Sequence, residues 1–163
     1  MKPSHVTAQA VFDSPLGPML IARTDRGLAG AWFDGQKHHP GRLDAPLRPD
    51  DTLLARAART ITRYLEGTVR TIELPLDPPG TPFQQAVWAA LREIPRGATT
   101  SYGEIARRIG APRAVRAVGA AVGRNPVSVV VPCHRVVGRD GALTGYAGGL
   151  ARKRALLALE ARS

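Results

Sequence analysis

The chain has a single cysteine, Cys133, in 163 residues. That scarcity excludes an internal disulfide and any zinc site built on several thiolates, and it fits the reducing cytoplasm. No stretch approaches the about 18 apolar residues of a membrane span. Met1-Lys2-Pro3-Ser4-His5 lacks the apolar core of a signal peptide, so neither export nor membrane insertion is expected. No metal is implied: His38 and His39 are adjacent rather than one helical turn apart, in a polar, proline-containing stretch that reads as a solvated loop. Internal repeats, low-complexity segments and the glycine spacings of phosphate-binding loops are also missing.

What is present supports a buried core, since 44% of the residues are hydrophobic and 22% charged. The formal charge of +10 is unevenly distributed. Residues 1–79 carry 10 Lys and Arg against 9 Asp and Glu, a net of +1, whereas residues 80–163 carry 13 against 4, a net of +9. A compositional preference for arginine is the bland explanation, because only Lys2, Lys37 and Lys153 are lysines. It does not account for the asymmetry, which points to a polyanionic partner for the second half.

The first third alternates short apolar runs with turns: Val6 to Phe12, Met19 to Thr24 and Leu28 to Phe33, separated by Asp13-Ser14-Pro15-Leu16-Gly17 and Asp25-Arg26-Gly27. This pattern predicts a small antiparallel meander. Residues 35–50 read as a loop, and Leu54, Ala57, Ala58, Ile61 and Leu65 mark one face of a helix ended by Gly67. A further strand is expected from Val69 to Leu76, with a domain boundary in Asp77-Pro78-Pro79-Gly80.

The second half opens on a helix start: Thr81 as N-cap, Pro82 at the first helical position and Gln84 closing a capping box, before Phe83, Val87, Leu91 and Ile94 on one face. Ser101-Tyr102-Gly103-Glu104 opens a second helix that Gly110 ends, and Pro112 can begin a third with Val115, Val118, Gly119 and Val122 inward. This is helix-turn-helix spacing. Arg113, Arg116, Ala117, Ala120 and Arg124 share the third helix's outward face. Short alanines let such a face approach a groove floor while the arginines reach phosphate or a base stack, which favours nucleic-acid contact over a solvated surface.

Cys133 stands in Val129-Val130-Val131-Pro132-Cys133-His134-Arg135. A lone cysteine is most often a small buried hydrophobe. Here the β-branched run predicts a buried strand from Val127 to Val131 that carries the thiol at its end, and His134 and Arg135 are candidates to take its proton or steady the thiolate. Neighbours on a strand face opposite ways, so His134 serves Cys133 only if the turn breaks the alternation or a water bridges them. Gly138-Arg139-Asp140-Gly141 is a turn, and Gly145-Tyr146-Ala147-Gly148-Gly149 a small-residue loop where backbone can approach a flat ligand, or a flexible connector. In the final helix, Leu150 to Glu160, Glu160 shares the side of Leu156 and Leu157 and sits where the helix dipole disfavours a carboxylate. It is either a frayed, solvated end or the third member of a cysteine, histidine and glutamate relay.

Pro132-Cys133-His134-Arg135, with Asn125-Pro126 before it and Gly145-Tyr146-Ala147-Gly148-Gly149 through Glu160 after it, resembles the O6-alkylguanine-DNA alkyltransferases. The resemblance is close over residues 80–161, and residues 1–79 are compatible with the family's variable N-terminal domain. It implies an α/β N-terminal domain over residues 1–79, a small antiparallel sheet plus helix. A mainly α domain over residues 80–163, with a winged-helix-like helix-turn-helix, binds DNA and accepts the alkyl group. It implies irreversible, single-turnover transfer of an alkyl group from O6 of a flipped-out guanine to Cys133, whose thioether product gives water no carbonyl to attack. By the family's pattern His134 deprotonates Cys133 through a water, Glu160 orients His134, and Asn125 braces the thiol segment. Tyr102 bonds the base and helps rotate its phosphate, the carbonyls of Cys133 and Val136 read the guanine amino group, and Tyr146 and the Ala147 amide line the pocket. Arg116 fills the vacated stack, and the bare face of Ala117 and Ala120 suits the minor groove. Flipping is physically required, because a stacked base cannot present O6 to a thiol.

The implied partner is double-stranded DNA bearing O6-alkylguanine, met by a monomer, with no cofactor and no membrane. O4-alkylthymine and cooperative binding stay open. Where this chain has Ala147 some relatives have serine; because the implied contact is through the backbone amide, a modest effect on alkyl preference follows. The zinc and the extra cysteine-rich acceptor domain of some relatives are not expected with one cysteine. Two other classes are a cysteine hydrolase using Cys133, His134 and Glu160, which requires repeated turnover, and a helix-turn-helix regulator, which does not need the thiol. The intact cysteine argues against relatives that only flag damage.

Overall fold

The structure, a computed structural model, describes residues 5–162; the N-terminal residues 1–4 read above for a signal core lie outside the described residues. These residues fall into two compact units, residues 5–79 with Pro126–Val130, and Gly80–Asn125 with residues 131–162. The segment 126–130 thus joins the first unit, where the sequence predicts one cut near residue 79.

In the first unit β1 (Ala8–Ser14), β2 (Gly17–Arg23) and β3 (Leu28–Phe33) form an antiparallel sheet in the order β1-β2-β3. The register runs from Ser14 opposite Gly17 to Ala8 opposite Arg23, with a bulge at Ala22/Arg23 before β3. β3 is buried throughout, because β2 takes one edge while single bridges to Leu76 and Val127 cover the other. Helix α1 (Thr52–Leu65) packs on β1 and β2, burying Leu53, Leu54, Ala57, Ile61 and Tyr64. Its N-cap is Asp51, whose carboxylate accepts from Leu54 N at 2.9 Å and pairs with Arg23 at 3.1 Å.

Two expected strands are absent. Residues 69–76 make only the Leu28–Leu76 bridge, with Leu28 N donating to Pro75 O and Asp77 N to Leu28 O. Pro75, Pro78 and Pro79 have no N–H to extend a ladder. Residues 127–131 turn instead of extending, because Val129 takes φ +74, a left-handed conformation that is unusual for a β-branched residue. Within that turn Ala31 N donates to Pro126 O, Ser128 N to Ala31 O, and Ser128 Oγ to the buried Gln36. The valines reflect burial there, and periodicity alone does not separate that from a strand.

The second unit holds α2 (Pro82–Arg92), β4 (Thr100–Ser101), α3 (Tyr102–Arg108), α4 (Val115–Gly123), β5 (Val136–Val137) and α5 (Leu150–Ala161), with 3₁₀ turns at Cys133–Arg135 and Arg139–Gly141. The capping box of α2 is formed in both directions between Thr81 and Gln84. Its Trp88 Nε1 donates to Ala121 O at 2.9 Å, tying α2 to α4. Gly80 lies so close to the Trp88 ring that a Cβ there would come within 2.5 Å of it. Ser101 caps α3, and Gly110 at φ +76 ends the turn that follows it. α4 starts at Val115 rather than near Pro112, since residues 112–114 form a turn closed by Ala114 N to Ala111 O, and no side chain caps the helix. Val118 and Val122 face inward, whereas Val115 is 41% exposed, contrary to its expected place on the inner face. β4 and β5 pair in parallel beside this helix-turn-helix.

Candidate active site

Cys133 is held by a turn and not by a strand end. Its N–H bonds Val131 O at 2.8 Å, the Arg135 N–H bonds Pro132 O at 3.0 Å, and Val136 N–H bonds Cys133 O. Asn125, from the segment after α4, donates through Nδ2 to Val131 O at 2.9 Å and so braces the turn against the helix-turn-helix. A 3₁₀ turn rotates successive side chains by about a third of a circle. The strand alternation is thereby broken, and Cys133 and His134 enter separate surroundings.

The thiol is buried, with 5% of the residue exposed. Burial pushes the Cys133 thiol above its ordinary range; hydrogen bonds from the Asn125 and Tyr146 side chains and the positive charge of Lys153 oppose that shift. Lys153 itself is fully buried on α5 and donates to Val136 O at 2.7 Å and Thr144 O at 3.3 Å. Burial holds its ammonium below the usual lysine range, partly offset by Cys133. Cys133 borders a cavity of about 50 Å³ lined by Tyr102, Gly119, Val122, Gly123, Gly145, Tyr146 and Ala147. That volume holds a water or two and lies well below the roughly 300 Å³ at which small-molecule pockets begin. The hydroxyl of Tyr102, on the cavity lining, shares a 2.8 Å hydrogen bond with Thr144 Oγ1. Val136 is not in this lining, and its carbonyl already accepts from Lys153.

Behind the thiol lies a buried ionic group. His134, fully buried, has Nε2 2.8 Å from Glu160 Oε2. Glu160 also receives Arg135 on both oxygens, Nε to Oε1 and Nη2 to Oε2, each at 2.9 Å, while Arg135 Nη1 reaches Ile94 O at 2.6 Å. The carboxylate at the end of α5 is therefore enclosed and paired, not frayed. Burial holds His134 below the ordinary histidine range; Glu160 opposes this, and the charges of Arg135 and Lys153 reinforce it. Its Nδ1 is buried with no protein partner among the described residues. Arg135 does not flank the thiol as the sequence alone allows; its guanidinium is committed to Glu160.

Arg116, Ala117, Ala120 and Arg124 are all exposed on α4 or at its C-cap, and Arg113 is exposed in the turn before it. Among the described residues none of these arginines forms an ion pair, whereas Arg107 and Arg108 on α3 are both engaged by Glu104. The α4 face is thus an uncompensated positive surface of this unit. Sequence reasoning missed Lys153 and Thr144. Lys153 was detectable: it precedes Leu156, Leu157 and Glu160 by three, four and seven positions, one turn further along the same inward face. Thr144 carried no such signal.

Family models describe matches over residues 8–78, to the 6-O-methylguanine DNA methyltransferase ribonuclease-like domain, and over residues 82–162, to the 6-O-methylguanine DNA methyltransferase DNA-binding domain. A methylated-DNA--protein-cysteine methyltransferase of Methanosarcina acetivorans is 46% identical over 93% of this chain and 96% of its own length. One from Mycobacterium bovis is 48% identical over 91% of this chain and 89% of its own. Among solved structures, Mycobacterium tuberculosis OGT in complex with DNA superposes with a TM-score of 0.86 at 44% identity, covering 95% of this chain and 93% of that one.

Proposed function

The chain belongs to the 6-O-methylguanine DNA methyltransferase family, and from that premise we propose that it repairs DNA by moving an alkyl group from O6 of a flipped-out guanine irreversibly onto Cys133. The observation that carries this reading is the buried His134 Nε2 to Glu160 Oε2 contact of 2.8 Å directly following the thiol. Glu160 accepts the Nε2 proton, so the neutral imidazole has its lone pair at Nδ1, the buried nitrogen that no protein group occupies. Through a water, Nδ1 takes the Cys133 proton; the thiolate attacks the alkyl carbon, the S–C bond forms and the C–O bond breaks. The released pair goes to the guanine, which recovers the proton from the imidazolium, leaving guanine and a thioether. No cofactor enters the balance.

Asn125 and Tyr146 support the nascent thiolate by hydrogen bonding, and Lys153 supports it by charge. Tyr102 exchanges its bond to Thr144 for one to the base, Tyr146 and the Ala147 amide line the widened pocket, and the Val136 carbonyl keeps a lone pair for the guanine amino group. Arg116 fills the vacated stack, with Arg113 and Arg124 on phosphates and Ala117 and Ala120 on the minor-groove floor. Residues 1–79 serve as the α/β N-terminal domain and 80–163 as the DNA-binding and alkyl-acceptor domain, apart from 126–130, which belong with the first unit. No helix among the described residues is long and apolar enough to cross a membrane; we place the protein in the cytoplasm, where its thiol stays reduced. Exposure to excess O6-methylguanine duplex should replace S–H by S–CH3 at Cys133 in one equivalent, read by intact mass, and then stop. Continued turnover contradicts the reading.

A further inference from the structure

The alkyl-transfer reading gives Arg135 no task, yet Arg135 makes three hydrogen bonds in the buried ionic group. Its fork binds both oxygens of Glu160 at 2.9 Å, and its third nitrogen binds Ile94 O at 2.6 Å, just past the end of α2. A carboxylate held by two parallel guanidinium bonds stays ionised and accepts only. Glu160 Oε2, shared between Arg135 and His134, therefore requires the proton on His134 Nε2 and leaves Nδ1 as the basic nitrogen. Arg135 also offsets part of the charge of Glu160 as His134 experiences it. Beside an unopposed carboxylate a buried imidazole holds a proton more tightly, and an imidazolium cannot act as a base.

We propose that Arg135 is a positioning residue that, by neutralising and orienting Glu160, keeps His134 as the neutral tautomer whose Nδ1 accepts the thiol proton. The proposal rests on the alkyl-transfer reading. The titratable and charged groups facing His134 are Glu160 and Lys153 from α5, Arg135 from its own turn, and Tyr146, whose ring meets the imidazole edge-on with centroids 6.5 Å apart. Glu160 alone favours the charged ring, while Arg135, Lys153 and burial favour the neutral one. Removing Arg135 therefore raises the His134 pKa, and the acid limb of the rate profile moves to higher pH.

The test is the single-turnover rate of methyl transfer from an O6-methylguanine duplex between pH 6 and 9, for the unsubstituted protein, Arg135→Gln and Arg135→Lys, with the His134 ring titrated by NMR. Arg135→Gln should move the acid limb up by about one pH unit, a loss of at most about fivefold at pH 6.5 that is gone by pH 8.5. Arg135→Lys keeps the charge and loses the fork, so it should lower the rate evenly and leave the limb in place. A uniform loss in Arg135→Gln, with the limb and the His134 titration unmoved, overturns the proposal. Should Arg135→Gln not fold, the unsubstituted protein decides through its tautomer, read by nitrogen NMR: a neutral His134 protonated on Nε2 at pH 7 upholds the proposal, and an Nδ1-protonated ring or an imidazolium overturns it. Failure of the unsubstituted protein to gain one methyl on Cys133 would instead refute the alkyl-transfer reading.

Discussion

Helices α4 and α5 belong to the same unit and use charge in opposite ways. α4 exposes arginines on a bare alanine face with no carboxylate to meet them, whereas α5 buries Lys153 and Glu160, each fully engaged by hydrogen bonds. An exposed cation interacts through high dielectric, is screened by salt, and costs nothing to leave unpaired. A buried one shifts proton equilibria and is expensive to orphan. The net +9 of residues 80–163 thus covers two jobs that composition cannot distinguish, association on the surface and proton control inside.

The strongest way to break this division is at Glu160. Glu160→Ala strands the buried Arg135 and His134, so denaturant unfolding should show a loss of about 3–5 kcal/mol, with methyl transfer down roughly 10²–10⁴-fold in whatever remains folded. Lys153→Met sharpens the contrast. The charge that opposes the rise of the Cys133 pKa disappears, so the thiolate fraction at a given pH falls and transfer at pH 7 should drop about tenfold, recovering at higher pH. Its stability should hold or improve, because a buried cation without a carboxylate is replaced by an apolar chain of similar length. Lys153 titrates below the usual 10.5 when folded, so the unsubstituted protein binds fewer protons than its unfolded chain there and gains stability as pH rises toward 10.5. Lys153→Met removes that slope in pH-dependent melting.

On the α4 side, Arg113→Ala with Arg124→Ala should weaken duplex binding while the maximal transfer rate persists. The slope of log affinity against log salt should fall by about 2 in magnitude, near 0.9 per lost phosphate contact. The smallest effect lies in the first unit. Asp51→Ala removes the α1 cap and should cost about 1 kcal/mol by thermal unfolding, leaving transfer unchanged. Since Asp51 titrates below its usual carboxylate value, against a burial effect that alone would raise it, its contribution is present above that value and lost as pH falls through its lowered pKa.

Much of this was legible in the sequence where local chemistry dictates structure. Thr81, Pro82 and Gln84 specify a helix start, Gly110 a left-handed turn, and the alternating runs of residues 8–33 a meander. The Glu160 anomaly, an acid on an inward face, left a frayed end or a partner for His134 as its two readings, and the structure has the second. The misreadings share a cause. Val127 meets β3 through a single bridge to Ala31 and no strand forms, and the left-handed Val129 is a tertiary outcome no local preference encodes. Arg135 reads as a neighbour of the thiol because it is adjacent in sequence; the 3₁₀ turn sends it to Glu160 instead. Lys153 was passed over because a lysine in a helix is ordinarily solvated, although its spacing from Leu156, Leu157 and Glu160 puts it on the inward face.

Single-turnover methyl transfer to Cys133, followed against duplex concentration at low and high salt, tests the division most directly. The plateau rate should be unchanged by salt, because the groups that set it are buried, while the half-saturating DNA concentration rises steeply. A plateau that falls in parallel with affinity, or a methyl group found anywhere but on Cys133, would contradict the account.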